Sequence, residues 1–133
     1  MAKTRIGSNA TFLGGNKGLS IVGDHCYAYS GEVNVDNNAT TLLFFKSLKG
    51  YLKAKLSVAC AEVSGDNYTV DVQFNGVPVY SNVYNNTYQA YPYGVSPFPL
   101  IIPPLTEVKI IMQNISNSND TDWTMSITGR VYD

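Results

Sequence analysis

The single histidine of this 133-residue chain limits the chemistry that its side chains can perform. His25 follows Asp24 and serines are common, but a Ser-His-Asp site is defined by geometry rather than by the presence of three residue types. The sequence also lacks the Gly-x-Ser-x-Gly motif, which exposes a nucleophilic serine at a sharp turn. We therefore expect His25 to be a turn or strand-end residue, and we predict that the protein is not an enzyme.

Candidate metal ligands are dispersed along the chain. Cys26 adjoins His25, but Cys60 is distant, and zinc sites use clustered ligands. Residues 117–122 hold two asparagines and two aspartates, yet they lack the central glycine and terminal glutamate of a calcium loop. This segment is interpreted as a polar turn and both cysteines as buried core residues. No metal, other cofactor or catalytic residue is predicted.

Tyrosines are concentrated near the middle of the chain, and we predict that they form a subunit or ligand contact loop. Residues 81–97 show no clear period, which is typical of a long loop. The tyrosines of this candidate loop are Tyr80, Tyr84, Tyr88, Tyr91 and Tyr93. Aromatic side chains provide a large contact area at low entropic cost. Three interpretations remain open: the tyrosines cover their own core, contact a neighbouring subunit, or stack on glycans.

Residues 1–18 are rich in glycine, asparagine and serine, and they contain no acidic residue. Lys3, Arg5 and Lys17 give this segment a local positive charge. The segment is predicted to be an extended N-terminal arm, followed by a single domain over residues 19–133. Two interpretations remain open for the arm: a frayed terminus, or an arm that lies on a neighbouring subunit.

Composition excludes several classes of protein. The formal net charge of −1 argues against direct nucleic-acid binding, which requires excess Lys and Arg to replace counterions. The 44% of hydrophobic residues are enough for the core of a single domain, which argues against disorder throughout the chain. The basic N-terminus is followed by no apolar stretch, and no apolar run has the length of a membrane helix. We therefore expect neither a signal peptide nor a transmembrane segment.

Apolar residues alternate along the chain with a period of two, and no segment shows a helical period. The clearest case is Gly50–Glu62, in which alternate apolar residues beginning at Leu52 face one way. Tyr51, Lys53 and Lys55 face the other way, where the favoured role of the lysines is to protect an exposed strand from aggregation and the alternative is a patch for nucleic acid or an acidic partner. Eight or nine short strands at intervals of about ten residues predict an all-β fold. The favoured architecture is an antiparallel β-sandwich that is jelly-roll-like, with about eight strands.

Two local patterns give sharper expectations. Asn75-Gly76 predicts a hairpin with a type I′ turn, because both central residues of that turn need positive φ. Val77 and Val79 are expected to continue the apolar face across this hairpin. Upstream, the period of two predicts that a further set of residues shares one face: Tyr27, Tyr29, Val33 and Val35.

Five stretches between residues 25 and 132 resemble a group of small β-sandwich virion proteins from marine bacteriophages and related viruses. They are residues 27–35 (YAYSGEVNV), 40–45 (TTLLFF), 74–77 (FNGV), 100–109 (LIIPPLTEVK) and 127–132 (ITGRVY). Proteins of this group look like capsid decoration (cement) or minor capsid proteins. The motifs are strand and turn patterns, so there is no family active site to transfer to this chain.

The resemblance implies a structural protein of the virion, assembled in the host cytoplasm. Its partners would be other capsid proteins and copies of itself, with a trimer favoured. Lys3, Arg5 and Lys17 would then anchor the arm to the shell. An alternative is a carbohydrate- or receptor-binding module of a virion, with a glycan or host receptor as partner. The tyrosine-rich segment motivates this alternative, because architecture by itself does not separate the two functions.

Overall fold

The computed structural model describes residues 18–60, 65–85 and 97–133, together with the backbone of Ser8 and Asn9. Within these ranges the chain forms strands and no helix, so no helix of the described residues is long and apolar enough to cross a membrane. The strands are β1 (Ser8–Asn9), β2 (Ser20–Val22), β3 (His25–Tyr29), β4 (Val33–Val35), β5 (Thr40–Lys46), β6 (Tyr51–Cys60), β7 (Asn67–Phe74), β8 (Val77–Asn85), β9 (Phe98–Ile102), β10 (Glu107–Asn114) and β11 (Thr121–Tyr132). The first is a two-residue bridge, and the others are the ten strands of a sandwich. The predicted all-β class is confirmed.

The strands form two antiparallel sheets. The first sheet has the order β1-β2-β3-β11-β6-β9, with β4 also paired to β11, and the second has the order β5-β10-β7-β8. Strands β1 and β2 extend the edge of the first sheet and are left out of the following numbering. With β3 and β4 counted as one strand, the remaining eight strands are numbered one to eight along the chain. In that numbering the sheets read 1-8-3-6 and 2-7-4-5. This is the strand order of a jelly roll, in which successive strands mostly cross from one sheet to the other. The predicted architecture is therefore confirmed.

The core lies between the two sheets and is formed by alternate residues of each strand. Strands β6 and β11 pair from Trp123–Cys60 to Tyr132–Tyr51 and form the centre of the first sheet. The inward residues of β6, from Leu52 to Cys60, are buried, whereas Tyr51, Lys53 and Lys55 are exposed, as predicted. Cys26 and Cys60 are both buried in this core, which confirms that expectation.

The predicted common face for residues 27–35 is wrong, because a bulge separates β3 from β4. Tyr29 pairs with Ser126 and Val33 pairs with Trp123, so four steps on one strand match three steps on β11. An extra residue in one strand reverses the side to which the following side chains point. As a result, the tyrosines of β3 are exposed, whereas Val35 is fully buried.

The β7–β8 hairpin has the predicted turn, with φ of 52° at Asn75 and 81° at Gly76. The expectation for the two valines that follow it is wrong, since Val77 is 60% exposed and Val79 is 49% exposed. The register shifts beside this turn, because Val72 pairs with Tyr80 whereas Gln73 pairs with Pro78. Near the turn, β8 therefore lies at the rim of the sandwich, and Val77 and Val79 face solvent rather than the core.

Candidate functional site

Two of the predicted contact tyrosines lie in a strand rather than in a loop, because β8 continues to Asn85. Tyr84 is 9% exposed and lies opposite the buried Tyr68 in the strand register, and burial raises the pKa of Tyr84 to about 12. Tyr80 stacks on Phe98 of β9, with 3.8 Å between the ring centroids. Tyr84 is therefore buried and Tyr80 partly buried on the core of their own subunit, in line with the first of the three open interpretations. Tyr88, Tyr91 and Tyr93 lie outside the described residues.

The three basic residues of the predicted arm, Lys3, Arg5 and Lys17, also lie outside the described residues. The bridge β1 pairs with β2 of the same chain, with Ser8 opposite Ile21 and Asn9 opposite Ser20. This part of the segment therefore adds a short strand to the edge of the first sheet.

The exposed tyrosines of the described residues lie on a different surface, the outer face of the first sheet. Tyr27, Tyr29, Tyr51 and Tyr132 are all between 37% and 55% exposed. The rings of Tyr51 and Tyr132 are stacked at a centroid distance of 5.4 Å, and Lys53 Nζ lies 5.6 Å from the centroid of Tyr132. The sequence indicated this face only for β6. The contribution of β3 was not predictable, because the bulge after Tyr29 breaks the alternation that the sequence pattern assumes.

A groove of about 560 Å³ crosses the outer face over β3, β11, β6 and β9. Its floor is the strand backbone at Gly129, Ala54 and Leu100, which pair across the sheet; Gly129 has no side chain, and Ala54 and Leu100 direct theirs inward. Two cross-strand rows of exposed side chains form its walls. One row consists of Tyr27, Thr128, Lys55 and Pro99, and the other of His25, Arg130, Lys53 and Ile101.

The charges of this groove, named here the outer-face groove, are predominantly positive. Lys53, Lys55 and Arg130 line it, and no acidic residue does so within the described part of the chain. Asp24 lies at one end, where it accepts a hydrogen bond from Arg130, and this bond lowers the pKa of Asp24 below its ordinary value. The His25 Nδ1 atom is 3.1 Å from the other Asp24 carboxylate oxygen. His25 is the first residue of β3, as expected for a strand-end position, but its proximity to Arg130 was not visible in the sequence.

The segment around residues 114–120 is a turn held together by its own polar side chains, which confirms the polar-turn interpretation. The buried Asn114 accepts a hydrogen bond from the Ser116 backbone at 2.8 Å and donates one to Asp66 at 3.0 Å. Asn117 donates to the other oxygen of Asp66 at 2.8 Å. Across the described residues, no group of three or more His, Cys, Asp or Glu side chains is arranged to hold a metal ion.

A second exposed surface is the edge of the second sheet, formed by β8. In the described part of the chain β8 pairs with β7 alone, so its outer backbone groups line the edge. Val77, Val79 and Val83 are each about half exposed or more, and residues 77–85 include no charged side chain. We refer to this surface as the β8 edge. It lacks the lysines with which sheet edges are commonly protected against pairing with another chain.

The chain was compared with protein families, curated proteins and solved structures. No protein-family model and no curated protein matches it. The chain is similar to VP2 in the infectious bursal disease virus subviral particle, with 14% identity and a TM-score of 0.48 over 96% of this chain and 39% of that chain. It is also similar to the pili of Bacillus endospore appendages, with 10% identity and a TM-score of 0.47 over 92% of this chain and 97% of that chain. The chain thus spans about two fifths of the viral protein's length, and at these identities the likeness is one of fold alone.

Proposed function

We propose that this protein is a structural virion protein, a capsid decoration (cement) or minor capsid subunit that stabilises the shell through contacts between subunits. The observation that carries the proposal is the β8 edge, a nine-residue strand without charge at the rim of a jelly roll. Jelly rolls are a recurrent architecture of viral capsid subunits. The resemblance of five strand and turn segments to small virion proteins supports the same role.

The β8 edge supports assembly because it combines two features of subunit contacts. An edge strand pairs with another chain through its outer backbone N–H and C=O groups, and on β8 these are reduced by Pro78, which has no N–H, and by Val83, whose N–H donates to Asn82 Oδ1. Its three exposed valines lose apolar surface to water when a second subunit covers them. The low charge of the whole chain, with 14% charged residues, is also typical of a protein whose surface is buried against neighbours.

A closed trimer is the proposed form of self-assembly. A threefold contact is heterologous, so the β8 edge of one subunit would meet a different surface of the next subunit. Other capsid proteins would cover further surfaces on the shell. The N-terminal arm, with Lys3, Arg5 and Lys17, remains a proposed anchor to that shell.

The test is the absolute mass of the purified protein, measured by light scattering after size exclusion at several concentrations. We expect a closed oligomer near three times 14.5 kDa. Val83→Lys places a charge on the β8 edge and should shift the equilibrium to the monomer. Burial of the exposed half of one valine contributes roughly 0.8–1.5 kcal/mol, half of the value for a fully buried side chain, so association should weaken about four- to tenfold.

The matched control is Val22→Lys in β2. Val22 is 56% exposed and Val83 is 53% exposed, so the two substitutions add the same charge at similarly exposed valines on different sheets. We expect Val22→Lys to leave the oligomer intact. A wild-type protein that remains monomeric at every concentration, or equal dissociation in both variants, would contradict assembly through the β8 edge.

A further inference from the structure

The outer-face groove has the size and shape of a site for a small ligand. Sites of this kind are concave, have volumes of about 300–1,000 Å³, and combine apolar walls with a few polar groups. The groove has about 560 Å³ and lies over the first sheet, whereas the β8 edge belongs to the second sheet. The surface that carries the proposed assembly function therefore lies elsewhere on the molecule.

The charge of the groove selects for a negatively charged ligand. Lys53 and Lys55 are adjacent exposed positions on the outer side of β6, and Arg130 is opposite Lys53 in the register. Asp24 lies beside these residues, and its carboxylate contacts Arg130 and His25. Two lysine ammonium groups thus remain as donors for a carboxylate or sulfate, in a protein whose net charge is −1.

The groove also provides apolar surfaces on which a sugar ring can lie. Tyr27 is 45% exposed on one wall, and Ile101 is 62% exposed on the other. An aromatic face packs against the C–H groups of a sugar, and the exposed Thr128 hydroxyl can exchange hydrogen bonds with sugar hydroxyls. Aromatic stacking and cationic donors therefore meet within one cavity.

A peptide fits this surface less well than a saccharide does. Peptides that bind to sheets commonly add a strand at an edge, where backbone groups are available. Most of the groove lies over β3, β11 and β6, each of which is paired on both sides, and only one end of the groove reaches the edge strand β9. Recognition in the groove must therefore rely on side chains, which suits an acidic sugar.

From this geometry we infer that the outer-face groove binds an acidic saccharide, a sugar that carries a carboxylate or a sulfate group. Tyr27 stacks on the sugar ring, and Lys53 and Lys55 bind the acidic group. This site is distinct from the tyrosine-rich segment that motivated the carbohydrate alternative in the sequence, and it goes beyond the proposed assembly function.

Isothermal titration calorimetry of the full chain with three oligosaccharides tests the inference. The probes are an oligogalacturonate with carboxylates, a chondroitin sulfate tetrasaccharide with sulfates, and neutral maltotetraose. We expect at least one acidic probe to bind and maltotetraose to bind at least about tenfold more weakly. Comparison of the two acidic probes identifies the preferred acid group.

Two matched pairs of variants locate the site. Tyr27→Ala should weaken binding about tenfold, whereas Tyr29→Ala should leave it within about twofold, because Tyr29 lies on the same strand and face but outside the groove. Lys53→Ala/Lys55→Ala should also weaken binding about tenfold. Its control, Lys46→Ala/Lys49→Ala, removes the same charge from exposed positions that do not line the groove.

Four results would overturn the inference. They are the failure of both acidic probes to bind at millimolar concentration, equal losses in the groove and control variants, tighter binding of maltotetraose, and tighter binding of a tetraglutamate peptide. Val83→Lys separates the two proposals, since a variant that loses assembly should retain saccharide binding. Far-ultraviolet circular dichroism confirms that each variant is folded before titration.

Discussion

The bulge between β3 and β4 can be tested through one hydroxyl group. The Ser30 side chain is 6% exposed and accepts a hydrogen bond from the Met125 backbone N–H at 2.8 Å. It also donates to the Gly31 carbonyl at 2.6 Å. The hydroxyl therefore takes the place of a backbone partner that the extra residue removes from the β11 ladder. We predict that Ser30→Ala destabilises the bulge and, with it, the first sheet.

The expected magnitude follows from the group that loses its partner. Ser30→Ala leaves the Met125 N–H buried without an acceptor, which costs about 1–3 kcal/mol. We therefore expect the free energy of unfolding to fall by about 2 kcal/mol. For a chain of this length, this corresponds to a decrease in Tm of roughly 6–10 °C.

The assay is urea unfolding followed by the fluorescence of Trp123, the single tryptophan of the chain. Trp123 is a local probe because it is 3% exposed and pairs with Val33 directly after the bulge. The matched control is Ser57→Ala on the outer side of β6, which we expect to change the free energy by less than about 0.5 kcal/mol. A Ser30→Ala protein within about 0.5 kcal/mol of the wild type would refute the role of this hydroxyl.

Two further predictions concern the central strands. Gly129→Ala should destabilise the protein by about 3 kcal/mol in the same urea titration, because the added Cβ would clash with the Lys53 carbonyl oxygen and with the Ala54 Cα. A loss below about 1 kcal/mol would contradict this close approach. Burial raises the pKa of Cys26 from 9.0 to about 11, so the unfolded chain loses this proton at a lower pH than the folded chain. The contribution of the Cys26 thiol to the free energy of unfolding should therefore be fully present below pH 9. The free energy of unfolding should fall by up to about 3 kcal/mol as the pH approaches 11. Urea titrations from pH 8 to 11 would show a smaller alkaline loss for Cys26→Ala, and parallel curves for the two proteins would contradict the raised pKa.

Properties that depend on neighbouring residues in the chain were predictable from the sequence. The alternation along β6 determines which side chains face the core, because successive residues of a strand point to opposite faces. Asn75 and Gly76 determine the type I′ turn, because they adopt positive φ at low steric cost. The number and spacing of such segments also sufficed to predict a jelly roll.

The two surfaces for which a function is proposed, the β8 edge and the outer-face groove, depend instead on contacts between distant parts of the chain. Tyr80 and Tyr84 face inward because β8 pairs with β7 and Tyr80 stacks on Phe98 of the other sheet, contacts that no local pattern in residues 80–85 reveals. Tyr27 and Val35 face opposite sides of the first sheet because the register with β11 places a bulge between β3 and β4. The outer-face groove joins Tyr27 to Lys53 and Arg130 only when β11 enters the sheet between β3 and β6. Local sequence sets the preferences of each strand, whereas the proximity of side chains on a sheet is set by strand order and register, which only tertiary packing decides.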